Sequence, residues 1–311
     1  MRVFVAGASG AIGRPLVPLL VAAGHEVTGT TRSQERAELI AAAGATPAVV
    51  DALDAAALRR AVEAAGPEVV VHELTALPDR FDPRRRDIYD ATNRVRREGT
   101  RNLLDAARAA GARRFVCQSI AFAYAPGPEP EIKDEEAPLS LGAPPPFGEG
   151  VRALAEMERA VLEADGLEGV VLRYGWFYGP GTYYAEDGSM TADVRRRRFP
   201  IVGRGVGLFS FIHVDDAAAA TVAAVERGGP GIYNIVDDEP AGQRDWLPVY
   251  AEAIGAPRPR RVPVWLARLV AGKMASAINL QPGASNAKAK RELGWTPRWA
   301  SWREGFREAP R

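Results

Sequence analysis

Apolar positions change their period repeatedly along the chain, and the changes predict alternating strands and helices. Met1 to Ala6 is a short, β-rich apolar run. Arg14 to Gly24 follows with Leu16, Leu19, Leu20 and Ala23 at helical spacing. Pro15 suits a first helical turn, whereas Pro18 predicts a kink or an early end. Glu26 to Thr31 reads as a second strand, about Gln34 to Ala43 as a second helix, and Thr46 to Val50 as a third strand. Asp54 is placed to cap the helix after it. Glu68 to Leu74 is almost continuously apolar, which suits a parallel strand covered on both faces. His72, inside that run, reads as a core histidine. Pro78 to Arg86 reads as loop, and a helix is expected through Gly99 to Ala110. A fifth strand (Arg114 to Ser119), a Pro- and Gly-rich surface loop (Ala125 to Phe147), an amphipathic helix (Gly148 to Ala164) and a sixth strand (Val170 to Arg173) follow. This order predicts an α/β fold with a doubly wound parallel sheet, whose ligands belong at the carboxyl ends of the strands.

Between the first strand and first helix stands Gly7-Ala-Ser-Gly10-Ala-Ile-Gly13. A glycine turn that opens a helix after a strand offers backbone N–H groups to a pyrophosphate. Gly7 makes the tight turn, Gly10 lets the backbone approach the phosphates, and Gly13 lets helix pack on strand. Gly7, Ser9, Gly10, Ala11, Ile12 and Gly13 are therefore candidate dinucleotide contacts. The second strand ends at Arg32, with no acidic residue beside it before Glu35. An acid there would accept from the 2′-hydroxyl of NAD, whereas Arg32, with Arg36 a turn later, suits a 2′-phosphate. The expected cofactor is NADP rather than NAD.

Past Tyr174 the alternation weakens, so the expected division is discontinuous. Residues 1–175 plus 211–237 form the Rossmann-like, dinucleotide-binding domain; 176–210 plus 238–311 form a smaller substrate-binding cap. The first cap stretch carries Trp176, Tyr183 and Tyr184, an aromatic set that favours an apolar or aromatic organic substrate. Arg195 to Arg198 could serve an anion, but read as a solvated face.

Composition narrows the partners. The formal net charge of +1 argues against nucleic acid and against a polybasic membrane contact. One cysteine, Cys117, gives neither a disulfide framework nor metal-ligand spacing. The chain opens directly on a strand, with no signal peptide, and no apolar run reaches membrane-spanning length, so a cytoplasmic location is expected. A small-molecule substrate is the expected partner, and a homodimer is an assembly the sequence leaves open.

These pieces together resemble the extended short-chain dehydrogenase/reductase family, the NAD-dependent epimerase/dehydratases. The resemblance runs through Gly7-Gly10-Gly13, Asp51-Ala-Leu-Asp54, Gly99-Thr with Asn102-Leu-Leu-Asp-Ala-Ala, Ser119, and Leu172-Arg173 to Tyr178-Gly-Pro-Gly181. It continues in His213-Val-Asp-Asp216 and Ala287 to Pro297. It implies adenine contacts at Asp51 and Ala52, cofactor contacts at Leu74, Thr75, Ala76 and Tyr174, and a catalytic hydroxyl at Ser119. It also implies a Tyr-x-x-x-Lys pair in which the tyrosine exchanges a proton and the lysine lowers its pKa. Here the corresponding segment is Pro146-Phe147-Gly-Glu-Gly-Val151, which lacks both members. That places the chain with atypical members. A substitute acid would come from Tyr124, Tyr174 or Tyr178, with Glu149 in the same loop. The reading is an NADP-dependent oxidoreductase. A sugar-nucleotide epimerase or dehydratase and a non-catalytic NADP-binding sensor stand as alternatives.

Overall fold

The computed structural model describes residues 1–78, 80, 85, 87–272 and 274–308; the side chains of 270, 271 and 274 lie outside the description. Of the loop expected at 78–86, positions 79, 81–84 and 86 lie outside the described residues.

Seven parallel strands form the central sheet: β1 (Arg2–Ala6), β2 (Glu26–Thr31), β3 (Thr46–Val49), β4 (Val69–His72), β5 (Arg114–Ile120), β6 (Glu168–Tyr174) and β7 (Gly231–Ile235). Their order is β7-β6-β5-β4-β1-β2-β3, so the winding reverses between β1 and β4. A crevice therefore opens at the carboxyl ends of those two strands.

Helices α1 (Gly13–Ala22), α2 (Gln34–Ala42), α3 (Ala55–Ala65), α4 (Asp90–Arg94), α5 (Thr100–Ala109), α6 (Phe147–Leu162), α7 (Ser189–Arg195) and α8 (Val214–Glu226) follow in chain order. Next come α9 (Gln243–Ala253), α10 (Val264–Ala271), α11 (Met274–Ala277), α12 (Ala287–Leu293) and α13 (Trp302–Glu308). Successive strand side chains point to opposite faces, and both faces are covered. Val3 and Val5 join one core with Leu16 and Ala220, while Phe4 and Ala6 join a second with Leu58, Leu103 and Leu154.

Several expectations are corrected. Helix α1 runs through Pro18 without interruption, because that residue sits on the exposed face. The helix expected from Gly99 is preceded by α4 and a π-helical turn, Val95–Gly99. Phe211–His213 pairs not with the central sheet but with Trp176–Tyr178, as a separate two-stranded parallel ladder.

A third core, rich in rings, gathers Tyr178, Tyr184, Phe211, Trp246, Trp302 and Phe306 from both late stretches of the chain. The segment from Ala287 returns to the first core, where Ala289, Leu293 and Trp295 are buried. Asp54 caps α3 as expected, accepting from the Ala57 N–H at 3.0 Å. No helix among the described residues is long and apolar enough to cross a membrane.

Candidate active site

The turn after β1 is built by close approach. Gly7 has φ 96°, and a Cβ there would stand 3.0 Å from the Glu73 backbone, where β4 leaves the sheet. Gly13 is more tightly constrained, since a Cβ would lie 2.3 Å from the Gly7 carbonyl oxygen. Helix α1 begins without a side-chain cap and without an acid in its first turn. Arg14 and Leu16 already donate to the Gly10 and Ile12 carbonyls, both at 3.0 Å, and Pro15 has no N–H, so the Ala11, Ile12 and Gly13 N–H groups are the ones left for an anion at the switch point. Ser9 Oγ donates to Thr31 Oγ1 at 3.2 Å, and the Gly7 N–H to Thr30 Oγ1 at 3.1 Å, fixing the turn to the end of β2.

Arg32 lies just beyond, exposed, with Arg36 on the first turn of α2; neither guanidinium has a partner among the described residues. Asp51 is exposed and accepts from the Leu53 N–H at 2.9 Å, while Asn102 Nδ2 holds the Ala52 carbonyl at 2.9 Å. Past β4 the backbone is held from three sides. The Leu74 N–H donates to His72 Nδ1 (3.2 Å), Gln118 Nε2 to the Leu74 carbonyl (3.3 Å), and the Ala76 N–H to Thr92 Oγ1 (2.7 Å). Thr75 between them is exposed. His72 is a core residue, its pKa pushed down to about 4 by burial and by the Arg96 charge.

The three residues expected to supply catalytic hydroxyls, Ser119, Tyr124 and Tyr178, are all buried. Ser119 is in step with Phe115 and Cys117 along β5 and is wholly buried on that face. Its Oγ donates to Glu158 Oε1 at 2.5 Å, and Arg173 closes on the same carboxylate with Nε at 2.9 Å and Nη2 at 2.6 Å. Arg173 Nη1 donates to Tyr124 Oη (3.0 Å), which donates on to Asn234 Oδ1 (2.7 Å). Ser119 and Tyr124 thus belong to one buried network. Tyr178 is elsewhere, in the third core, its hydroxyl buried and without a partner among the described residues. Tyr174 is also fully buried, beside Glu73.

Crossover helices run against their strands, so the first turn of α6 lies at the sheet's carboxyl edge. It presents Phe147, half-buried; Val151 is packed into the second core, and Glu149 is exposed. Two buried ionisable groups near this edge escaped the sequence reading. Arg96 Nη1 donates to the Gly150 carbonyl at 3.2 Å, and its Nε has no partner; burial pulls its pKa down to about 10. Glu73 is buried with Oε2 unpartnered, and burial pushes its pKa up to about 8. The available signal was a carboxylate ending the Val-Val-Val-His run, and a basic residue on the helix face that also buries Thr92, Asn93 and Gly99.

Above the edge, Phe122 follows β5 and Trp176 follows β6. Their rings stack at 4.0 Å, 17° from parallel, and both remain half-buried. Tyr183 is half-buried and donates to the Pro78 carbonyl at 2.5 Å, joining its stretch to the segment after β4. Tyr184, expected to line a substrate pocket, is buried in the third core against Trp246 and Tyr250. Arg195 to Arg198 are all exposed. Among the described residues, no cluster of His, Cys, Asp and Glu could hold a metal.

Residues 3–236 match the NAD-dependent epimerase/dehydratase family. The chain is 50% identical over 309 residues to the 3-diazoavenalumate denitrifying reductase of a Streptomyces species, covering 98% of this chain and 99% of that protein. It is 32% identical over 263 residues to the 4-hydroxy-2-methyl-3-oxo-4-farnesyl-3,4-dihydroquinoline-1-oxide ketoreductase of Stigmatella aurantiaca, covering 82% and 74%. Among solved structures it resembles the Thermus thermophilus UDP-glucose 4-epimerase in complex with NAD, with TM-score 0.75, 26% identity and coverage of 99% and 97%. The chain belongs to the NAD-dependent epimerase/dehydratase family and is an oxidoreductase of the short-chain dehydrogenase/reductase type.

Proposed function

We propose that the protein is an NADPH-dependent reductase that removes the diazo group of an aromatic or conjugated organic acid as dinitrogen. The observation that carries this reading is the first turn of α6. Phe147 has no proton to exchange and Val151 no charge, in a chain half identical to a denitrifying reductase. Carbonyl reduction needs a proton on the oxygen as hydride reaches the carbon. A diazonium needs none: R–N2⁺ + NADPH gives R–H + N2 + NADP⁺, with charge and atoms balanced. Losing the acid–base pair therefore leaves this reaction intact and disables the others the family performs.

NADP rests on Arg32, which is free to form a charge-assisted pair with a 2′-phosphate. The N–H groups at the start of α1 would take the pyrophosphate, and Leu74 to Ala76 the nicotinamide ribose. The cofactor itself supplies the hydride. What the chain adds is placement. Gly7 and Gly13 let the turn close on the crevice, and Trp176 with Tyr183 lines the substrate side.

The test is stoichiometry. Purified protein, NADPH and an arenediazonium carboxylate should yield one N2 for each NADPH oxidised. NADPH oxidation on ketones without N2 release from any diazo compound would overturn the reading. The same outcome would favour a carbonyl reductase using some other acid.

A further inference from the structure

An arenediazonium is an electrophile as well as a hydride acceptor. Phenolates couple to it through a ring carbon: a C–N bond forms to the terminal nitrogen and the ring hydrogen leaves as a proton. Free amines form triazenes: an N–N bond forms and an N–H proton leaves. Neither reaction needs an oxidant or a further reagent. Any enzyme that holds such a substrate must therefore keep activated phenols, amines and thiolates away from it.

We propose, building on the reading above, that the site is made inert to its own substrate, and that Phe147 and Val151 are specificity determinants of that inertness. A tyrosine and a lysine four residues apart on one helix face would set a phenol of lowered pKa and an amine at the edge where the diazonium sits. Those are the two side chains it attacks. Their replacement by a benzyl and an isopropyl group removes both nucleophiles together.

The surroundings follow the same rule. The single cysteine, Cys117, is wholly buried, and burial pushes its thiol well above the ordinary value, away from the reactive thiolate. Tyr124, Tyr174, Tyr178 and Tyr184 are all buried, and burial raises each phenol's pKa, so none offers a phenolate. Tyr183, the one phenol put on the substrate side above, is half-buried and commits its hydroxyl proton to the Pro78 carbonyl at 2.5 Å. Amines are scarce: Lys133, Lys273, Lys288 and Lys290 are the only lysines, and arginine supplies the other basic side chains. A guanidinium stays protonated and has no lone pair to give. Lys133 pairs with Glu131, Lys290 with Asp238 at 2.6 Å, and Lys288 lies over the Tyr233 ring. Lys273 lies outside the described residues.

The experiment needs no turnover. Wild type, Phe147→Tyr and Phe147→Tyr/Val151→Lys are saturated with NADP⁺, treated with 4-carboxybenzenediazonium, digested and mapped by mass. Wild type should carry no adduct in the segment 143–152, while both variants gain an arylazo group at position 147 with its near-ultraviolet absorbance. The single variant carries the test alone if the buried lysine prevents folding. With NADPH present, the variants should lose activity progressively, and gel filtration should not restore it. An unlabelled position 147 in Phe147→Tyr, under conditions that label exposed tyrosines, overturns the proposal. So does an equal adduct in the wild-type segment. Failure of wild type to release N2 with NADPH strikes the function instead, and is read in a separate assay.

Discussion

The Tyr174 hydroxyl lies 2.9 Å from Glu73 Oε1 and 2.6 Å from Thr221 Oγ1, and Thr221 already donates to the Ala217 carbonyl at 2.8 Å. Tyr174 therefore has one proton for two contacts. A neutral Glu73 supplies the missing one, giving an unbroken run from Glu73 through Tyr174 and Thr221 to Ala217. The pKa of about 8 that burial imposes on Glu73 agrees with that count.

Glu73's contribution to stability should consequently fall with rising pH. Unfolded, Glu73 ionises near 4.5; folded, it holds its proton to about 8. Between those values its native state binds more protons, so the contribution decreases across that window and levels off above it. Glu73→Gln, neutral and of the same shape, should flatten this dependence. It should also raise stability at pH 8 by on the order of a few kcal/mol, with little change at pH 4.5. Urea unfolding of both proteins across that range checks it; parallel pH profiles would contradict it.

Arg32→Ala should weaken NADPH binding by roughly tenfold to a hundredfold, about 1.5–3 kcal/mol for a lost charge-assisted pair. NADH affinity should hold, because nothing in that cofactor reaches the position. Titration of both cofactors against both proteins is the measurement. Equal losses, or none, remove the case for the 2′-phosphate.

Local elements were legible because local chemistry decides them. The change of period from Val3-Phe4-Val5 to Leu16 and Leu20, with glycines between, specifies strand, turn and helix with no distant contact. Asp54 caps its helix for the same reason. For Ser119 the sequence marks the end of β5 but not the face, and in the fold it is buried in step with Phe115 and Cys117. Glu73 and Tyr174 are 101 residues apart, and their contact exists only once β4, β6 and α8 assemble. Tyr184 was ambiguous in a similar way, since an aromatic run does not say which rings fill a core and which stay at its surface.

Trp176 should contribute to substrate affinity without holding the fold. Its Nε1 is buried with no partner among the described residues, and such a group costs stability, so Trp176→Phe removes a liability while keeping a ring. Thermal stability should stay level or rise. Trp is the strongest aromatic face for a cation, so KM for a diazonium substrate should rise several-fold in Trp176→Phe, with kcat little changed. A KM unchanged in both Trp176→Phe and Trp176→Ala would move the substrate away from the Phe122–Trp176 pair.

The buried network separates structure from catalysis most directly. Ser119→Ala removes a 2.5 Å donor from Glu158, leaving Arg173 alone to satisfy a carboxylate that is 4% exposed. Tyr124→Phe strips an acceptor from Arg173 and a donor from Asn234. Each should destabilise by about 1–3 kcal/mol, the cost of a buried polar group left short of a partner. Neither should slow the chemical step, since both hydroxyls are spent inside the core. Phe147→Leu should likewise keep most of its turnover, because no proton passes through that ring. A true general acid would behave differently, costing about a hundredfold to ten-thousandfold in rate. Melting curves and single-turnover rates, measured side by side on the three variants, decide the matter. A hundredfold slower chemical step in Ser119→Ala or Tyr124→Phe, at unchanged melting temperature, would return that hydroxyl to the reaction. It would also require a proton that the diazonium chemistry does not use.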